Sequence, residues 1–207
     1  EDAPPLPDVL DLVTPDVVCR MFPSTPVRNI QQHLPFIRDA LAAWKLTDKP
    51  MVLMALATIR AETESFLPVD EGISRFNTSP GGHPFDLYDH RRDLGNQGPP
   101  DGSRFRGRGF IQLTGRANYE QHGNAVGLGS RLLAEPELAN QPEIAARLLA
   151  SFLGRREIDI KEALAVGAFR EARRLVNGGS HGLQRFQDAY QIGARLISAE
   201  SDIPANS

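Results

Sequence analysis

The stretch LMALATIRAETESF, which runs from Leu53 to Phe66, begins as a helix that is apolar on almost every side and ends in two glutamates. A helix of this kind belongs at the centre of a fold rather than on its surface. Start signals stand just upstream of it, and Pro68 prevents it from continuing. The stretch therefore predicts a central helix from Met51 to about Ser65, with the rest of the chain packed around it.

Glu62 lies on the apolar side of this helix, because Ala55, Ile59 and Glu62 are spaced i, i+4, i+7 and share one face. A carboxyl group in that position is partly removed from water, and a carboxylic acid that keeps its proton near neutral pH can act as a general acid. A glutamate near a helix end can equally face solvent with no catalytic role. The spacing alone leaves both interpretations open.

Two further carboxylates, Asp70 and Glu71, stand at the start of a long segment rich in turn-forming residues, Gly72 to Gly107. A segment of this length without helical or strand periodicity is either disordered or functional in a compact domain, and the apolar residues spaced through it predict an ordered, packed loop. Two carboxyl groups in unlike surroundings are the pattern of glycoside hydrolysis. An extended chain would point Asp70 and Glu71 in opposite directions, so only one of them can face a shared groove. The alternative for Glu71 is an ion pair with an arginine such as Arg75.

A short strand is predicted from Phe110 to Leu113. On a strand, Gln112 and Thr114 would share a face, and Asn118 would continue it on the following helix. Such a row of two amides and a hydroxyl can bind a sugar or hold a water. The alternative is a polar strand face that ends in a threonine helix cap.

The other patterns along the chain are helical, and the predicted fold class is mainly α with a small β element. Residues 1–13 are acidic and rich in proline, and they are predicted to form an N-terminal tether. Residues 14–200 are predicted to form a single catalytic domain, and residues 201–207 a polar tail.

Composition excludes several classes of function. The net charge is −3 without a basic block, so nucleic acid is not an expected partner. No apolar run is long enough to span a bilayer, so no membrane partner is expected either. The scattered histidines and the single cysteine, Cys19, provide no metal site or internal disulfide, and no cofactor motif is present. We expect a monomer that is made in a reducing cytoplasm without a visible signal peptide.

Four segments, in this order, resemble segments of the family 19 glycoside hydrolases, which are the plant-type chitinases and related phage and bacterial endolysins. ALATIRAETESF resembles the family's helix that ends in His-Glu-Thr or His-Glu-Ser. GRGFIQLTGRANY resembles its Gly-Arg-Gly-Pro-Ile-Gln-Leu segment and the Asn-Tyr that follows. LLAEPEL resembles its Leu-Leu-Ala-Asn-Pro-Asp-Leu turn, and LVNGG resembles its Ile-Asn-Gly-Gly segment. Together these matches extend from Ala55 to Gly179.

The resemblance implies a lysozyme-like (α+β), two-lobed fold with a central cleft. It implies hydrolysis of β-1,4-linked N-acetylhexosamine polymers by an inverting mechanism with Glu62 as the general acid. In the endolysin branch a second glutamate follows the acid at the spacing that separates Glu71 from Glu62, so Glu71 is the expected general base, with Thr114 positioning the water. The residues implied to bind the polysaccharide are Gln112, Asn118, Tyr119, Asn177 and Arg108.

Departures from the plant enzymes favour the endolysin-like branch. Ala61 stands where the family has histidine, and Phe110 stands where it has proline. The cysteines of the plant enzymes and most aromatic residues of a long chitin-binding cleft are missing. Peptidoglycan is therefore the expected substrate, and the cell wall, in the periplasm or outside the cell, the expected place of action. A chitinase on the same scaffold and a non-catalytic glycan-binding protein are the alternatives.

Overall fold

The computed structural model describes residues 4–177 and 181–198, without the side chain of Asn177. The mainly α fold expected from the sequence is confirmed: the described residues form helices joined by turns, with two isolated β-bridges in place of strands. None of the helices in these residues is long and apolar enough to cross a bilayer. The α-helices, in chain order, are α1 Pro15–Met21, α2 Val27–Ala43, α3 Lys49–Glu62, α4 Asp101–Arg104, α5 Arg116–Ala125, α6 Arg131–Ala134, α7 Pro142–Gly154, α8 Glu157–Ala165, α9 Phe169–Asn177 and α10 Leu183–Leu196. Short 3₁₀ helices cover Leu10–Leu12, Asp86–Tyr88, Arg92–Leu94 and Pro136–Asn140.

The chain divides into two compact units. Unit 1 consists of residues 1–66 and 152–207, and it contains α1, α2, α3, α8, α9 and α10. Unit 2 consists of residues 67–151, and it contains α4, α5, α6 and most of α7.

Helix α3 is the centre of unit 1, as its sequence predicts. It packs against α10 and α8, and nearly all of its side chains are buried. The side chain of Asp48 caps its first turn by accepting a hydrogen bond from the amide of Met51. The helix ends at Glu62, earlier than expected, because Thr63 is extended and the segment that follows is bound elsewhere. The side chain of Asn29 donates to the carbonyl of Ser65 at 2.9 Å, which holds this segment against the start of α2.

The segment predicted as a tether is partly packed, which corrects that prediction. Val9, Leu10 and Val13 are buried in unit 1. The amide of Val9 donates to the carbonyl of Thr47 at 2.9 Å, and Asp8 and Asp48 form a β-bridge. The segment packs because it contains three apolar side chains among its acidic residues and prolines. Their burial offsets the loss of conformational entropy when the segment is ordered.

The prediction of a strand from Phe110 to Leu113 is wrong. These residues form a tight turn that is closed by paired hydrogen bonds between the main chains of Arg108 and Leu113. Gly109 has φ 81° and Gln112 has φ 53°, and neither value occurs in a strand. Because these residues form a turn, their side chains do not have the two alternating faces of a strand that the sequence suggested.

The long segment from Gly72 to Gly107 is ordered through hydrogen bonds from side chains to the main chain. The carboxylate of Asp86 accepts from the amide of Ser79 at 2.7 Å, and the carboxylate of Asp89 accepts from the amide of Gly102 at 2.9 Å. Short acidic side chains of this kind satisfy backbone donors that have no helix or sheet partner. The abundance of turn formers thus produces a fixed loop rather than a disordered one.

Candidate active site

Glu62 is the last residue of α3, and its side chain is only 7% exposed. Its Oε1 accepts a hydrogen bond from Nη2 of Arg173 on α9, whose side chain is 1% exposed. The apolar setting expected from the sequence is therefore corrected, because the carboxylate is paired with a buried cation. A buried ion pair stabilises a fold little after its desolvation cost, but it fixes the positions of both groups. The pair thus holds Glu62 in one orientation.

Arg173 is a site residue that the sequence reasoning missed. Its Nε and Nη1 are buried and have no hydrogen-bond partner in the described part of the chain. A signal was present: Phe169, Ala172, Arg173 and Val176 have the i, i+3, i+4, i+7 spacing of a buried helix face. An arginine at such a position requires an anionic partner, and Glu62 provides it.

In unit 2, the carboxylate of Glu71 is bound by three uncharged donors. Oε1 accepts from the hydroxyl of Tyr88 at 2.8 Å and from Nδ2 of Asn77 at 3.0 Å. Oε2 accepts from the amide of Gly107 at 3.1 Å. Within the described residues Glu71 has no ion pair, and the guanidinium of Arg75 lies over the ring of Phe76 instead. The alternative in which an arginine neutralises Glu71 is therefore not what the structure shows.

Asp70, by contrast, is surrounded by cations. Its carboxylate lies 2.5 Å from Nη2 of Arg106 and 3.1 Å from Nε of Arg108, and it accepts from Nδ2 of Asn140 at 2.5 Å. Burial acts to raise the pKa of Asp70, but the hydrogen bonds from Arg106 and Asn140 and the two positive charges together hold it below its usual value. A carboxylate held in this way is a weak base, so Glu71 is the better candidate of the two.

Tyr88 keeps its proton and so remains a donor to Glu71. Burial, together with the hydrogen bond to the carboxylate and its negative charge, raises the pKa of Tyr88 far above neutral pH. Tyr88 and Asn77 were not predicted as site residues, because no sequence spacing relates two loop residues to a carboxylate. They fix the orientation of Glu71 without removing its charge.

The side chains of Glu71 and Gln112 both lie close to Gly107. A Cβ at Gly107 would lie 3.1 Å from Oε2 of Glu71 and 3.0 Å from Oε1 of Gln112, closer than ordinary contacts allow. A side chain at this position would require the carboxylate of Glu71 and the amide of Gln112 to shift by a few tenths of an ångström. Gln112 is held in its left-handed conformation by Nε2, which donates to the carbonyls of Val69 at 2.8 Å and Gly109 at 3.2 Å.

Thr114 and Asn118 continue from Gln112 as a chain of hydrogen bonds. The hydroxyl of Thr114 donates to the carbonyl of Gln112 at 2.8 Å, and Nδ2 of Asn118 donates to the carbonyl of Thr114 at 2.8 Å. All three side chains are partly exposed. A turn and a helix start therefore connect these three residues, rather than the strand face that was predicted.

Two of the predicted substrate-binding residues are buried scaffold, which corrects their predicted role. Tyr119 is 0% exposed, and its hydroxyl donates to the carbonyl of Arg106 at 2.6 Å and accepts from Nη1 of Arg108 at 2.9 Å. Burial raises the pKa of Tyr119 to about 12. Arg108, also buried, further donates to the carbonyl of Arg104 at 2.8 Å. Neither side chain is placed to contact a polysaccharide.

The remaining candidates fall into separate groups. Glu62 is in unit 1, whereas Glu71, Gln112, Thr114 and Asn118 are in unit 2. The side chain of Asn177 lies outside the described residues. In the residues that the structure covers, no group of three or more histidine, cysteine, aspartate or glutamate side chains is arranged to hold a metal ion.

No profile of a known protein family matches the chain. Its structure is similar to that of chitinase C from Streptomyces griseus HUT6037, with a TM-score of 0.61 and 22% sequence identity over 89% of this chain and 92% of the chitinase chain. A glutamate-to-glutamine mutant of chitinase C matches equally well, with a TM-score of 0.61 and 21% identity over the same shares. The chain therefore has the fold of chitinase C, a mainly α fold of the family 19 chitinase type.

Proposed function

We propose that this protein is a glycoside hydrolase that cleaves β-1,4-linked N-acetylhexosamine polymers with inversion at the anomeric carbon. The observation that carries the proposal is the carboxylate of Glu71, which three neutral donors orient and no described cation neutralises. A carboxylate of this kind can remove a proton from water. The likeness of the fold to chitinase C supports the same reaction class.

In the proposed reaction, a water oxygen attacks the anomeric carbon as Glu71 takes one of its protons. The bond from that carbon to the glycosidic oxygen breaks, and Glu62 gives its proton to the leaving oxygen. Both steps contribute in one transition state, which is the inverting form of glycoside hydrolysis. The hydroxyl of Thr114, next to Gln112, is proposed to position the water.

Arg173 has a defined part in this scheme. When Glu62 releases its proton it becomes an anion, and the guanidinium that donates to its Oε1 stabilises that anion. Arg173 is therefore a positioning residue, which acts on the sugar through Glu62.

The proposed substrate is peptidoglycan, so that the protein degrades bacterial cell wall in the periplasm or outside the cell. The chain has few aromatic residues, whereas a long chitin-binding cleft is expected to be rich in them, and this supports peptidoglycan as the substrate. Chitin is the second candidate, and the fold likeness to a chitinase favours it. The two substrates share the β-1,4 bond, so the same residues would serve both.

A Glu62→Gln variant tests the acid. General acid catalysis contributes roughly 10²–10⁴-fold, so the folded variant should lose at least that factor in rate. Its melting temperature should also fall, because Arg173 is left buried without its anionic partner, so rates are measured well below that temperature. Glu171→Gln is the matched control, since Glu171 is an exposed glutamate of the same unit. Near-full activity of Glu62→Gln would show that another group protonates the leaving oxygen.

The substrate is tested by comparing two assays on the wild-type protein. Loss of turbidity from permeabilised bacteria, without sugar release from colloidal chitin, is the expected result. Sugar release from chitin alone would identify a chitinase. Binding to either polymer without any new reducing ends would instead support the non-catalytic glycan-binding alternative.

A further inference from the structure

Unit 1 contains a cavity of about 270 Å³ whose walls are unusually rich in arginine. Arg60 of α3 and two arginines of α10, Arg185 and Arg195, line it together with Asp188 and apolar residues. Arg60 and Glu62 are two positions apart on α3, so their side chains leave the helix on opposite sides. The cavity is therefore separate from the Glu62–Arg173 pair.

Two of the guanidinium groups that line this cavity have a donor without a hydrogen-bond partner among the described residues. Nη1 of Arg60 and Nε of Arg185 are buried and have no hydrogen-bond partner in the described ranges. The nearest carboxylate is that of Glu64, 3.8 Å from Nη1 of Arg60 and 3.3 Å from Nη1 of Arg185, on a side chain that is 61% exposed. Buried donors without partners are costly, and the cavity far exceeds the ~10–15 Å³ that one water occupies. These donors are themselves out of contact with solvent, but the cavity that the same arginines line has room for a larger anion.

The charges and the apolar wall indicate what kind of anion fits. Three arginines face two acids, Glu64 and Asp188, so the cluster stays positive. Guanidinium groups match planar carboxylates through paired hydrogen bonds. Met21 and Ile192 add an apolar wall beside the arginines. Phosphate would use the arginines but not this wall, whereas the end of a peptide carries an aliphatic side chain next to its carboxylate.

We propose that this cavity binds the free carboxylate at the end of a short peptide. The source of the peptide rests on the proposed function: peptidoglycan carries short peptides that end in carboxylates, and chitin carries none. The cavity would then hold a wall peptide whose carboxylate end is free while the glycan is cleaved elsewhere on the protein.

Calorimetric titration of the full chain with N-acetyl-alanyl-alanine tests the proposal. The peptide should bind, whereas the same peptide amidated at its C-terminus and inorganic phosphate should bind at least about fivefold more weakly, because the charged hydrogen bonds or the apolar contact are lost. Arg195→Gln should weaken binding by a similar factor, and Asp188→Asn should strengthen it by removing a like charge. Arg170→Gln, which changes an exposed arginine outside the cavity, is the matched control, and melting temperatures show that each variant is folded.

Equal binding of the acid and the amide would overturn the proposal, as would tighter binding of phosphate. The D,D form of the peptide is compared with the L,L form to identify its source. Preference for the D,D form supports peptidoglycan, and preference for the L,L form contradicts that source. Carboxylate-dependent binding by a protein that cleaves no glycan would leave the cavity assigned and the proposed function refuted.

Discussion

Asp70 and Glu71 are neighbours in the chain with opposite electrostatic surroundings. Two arginines and an asparagine hold Asp70, whereas Tyr88, Asn77 and a backbone amide hold Glu71. Neighbouring residues of an extended chain point to opposite sides. Asp70 can therefore be a structural carboxylate while Glu71, the next residue, is the candidate base. Sequence spacing predicted that only one of the two could serve, and the family resemblance favoured Glu71, which the side-chain partners support as the proposed base.

Glu71→Gln and Asp70→Asn form a matched pair of variants. Glu71→Gln should lose roughly 10²–10⁴-fold in rate, because no base remains to activate water. Added azide should restore turnover of Glu71→Gln, since it attacks the anomeric carbon without losing a proton, and the product should be a glycosyl azide. Asp70→Asn should keep its chemistry and lose stability, because Arg106 and Arg108 lose their partner.

Rates on a cell-wall substrate, melting temperatures and analysis of the azide product are the measurements. The assignment fails if Asp70→Asn is inactive although folded and Glu71→Gln turns over normally. Such a result would make Asp70 the base in spite of its arginines.

Two residues, Tyr119 and Arg173, show where the prediction of individual site residues from the sequence failed. Tyr119 was assigned to substrate binding from a motif, but the motif is also a folding element, and its tyrosine is buried. Arg173 was overlooked because charged residues are normally read as surface. Its partner is 111 positions away in the chain, and no local pattern connects them.

At the level of elements, the turn from Arg108 to Leu113 is where sequence reasoning failed. Apolar and polar residues alternate from Phe110 to Thr114, as they do in a strand. The alternation cannot reveal that Gly109 and Gln112 have positive φ. Two hydrogen bonds from Nε2 of Gln112 stabilise the turn, and these depend on residues as distant as Val69. The main helices, in contrast, follow from local periodicity and caps.

Gly109→Ala tests the importance of the turn, with Gly127→Ala as its control. Both glycines have similar positive φ, 81° and 83°, so alanine should destabilise either site by about 1 kcal/mol. A Cβ at Gly109 would also lie 3.0 Å from the carbonyl of Ala139, whereas a Cβ at Gly127 would meet nothing within 4 Å.

Gly109→Ala should therefore lose more stability than Gly127→Ala, and it alone should reduce the catalytic rate by moving Gln112. Urea unfolding and steady-state kinetics measure the two effects. Equal losses of stability with unchanged rates would show that the turn does not position site residues.

On the scale of the whole molecule, the sequence predicted a mainly α fold, and the structure confirms it. The central position predicted for α3 is found within unit 1. The family resemblance implied two lobes, but the positions at which the chain divides into two compact units, residues 66–67 and 151–152, were not predicted. The second boundary falls inside the continuous helix α7, where no linker, glycine or proline marks it. A division of this kind depends on contacts between distant segments, which composition does not record.

The stability of unit 2 should depend on pH through Asp101. Hydrogen bonds from Arg116 hold the pKa of Asp101 below its usual value, against the effect of burial and with help from the amide of Gln97. A lowered pKa means that the ionised group stabilises the fold above its unfolded pKa of about 3.9. This contribution is lost as the pH falls through the folded pKa.

Asp101→Asn should therefore unfold more readily than the wild type at neutral pH, by about 2–4 kcal/mol, since it leaves Arg116 without its partner. The difference should shrink below pH ~4, where the wild type begins to lose the same charge. Asp93→Asn, which removes an exposed partner of Arg91, is the control and should change little. A difference that stays constant at all pH values would rule out the ion pair as the cause.

The central claim is hydrolysis with inversion by Glu62 and Glu71, and proton NMR of the first products tests it most directly. A soluble glycan fragment of peptidoglycan, with a β-1,4-linked N-acetylglucosamine oligosaccharide as the second substrate, is mixed with the enzyme, and the new reducing ends are observed before they mutarotate. The account predicts that the α anomer appears first, because water attacks the face opposite the leaving oxygen. Initial formation of the β anomer would contradict it, since that outcome requires a retaining mechanism with a covalent or substrate-assisted intermediate.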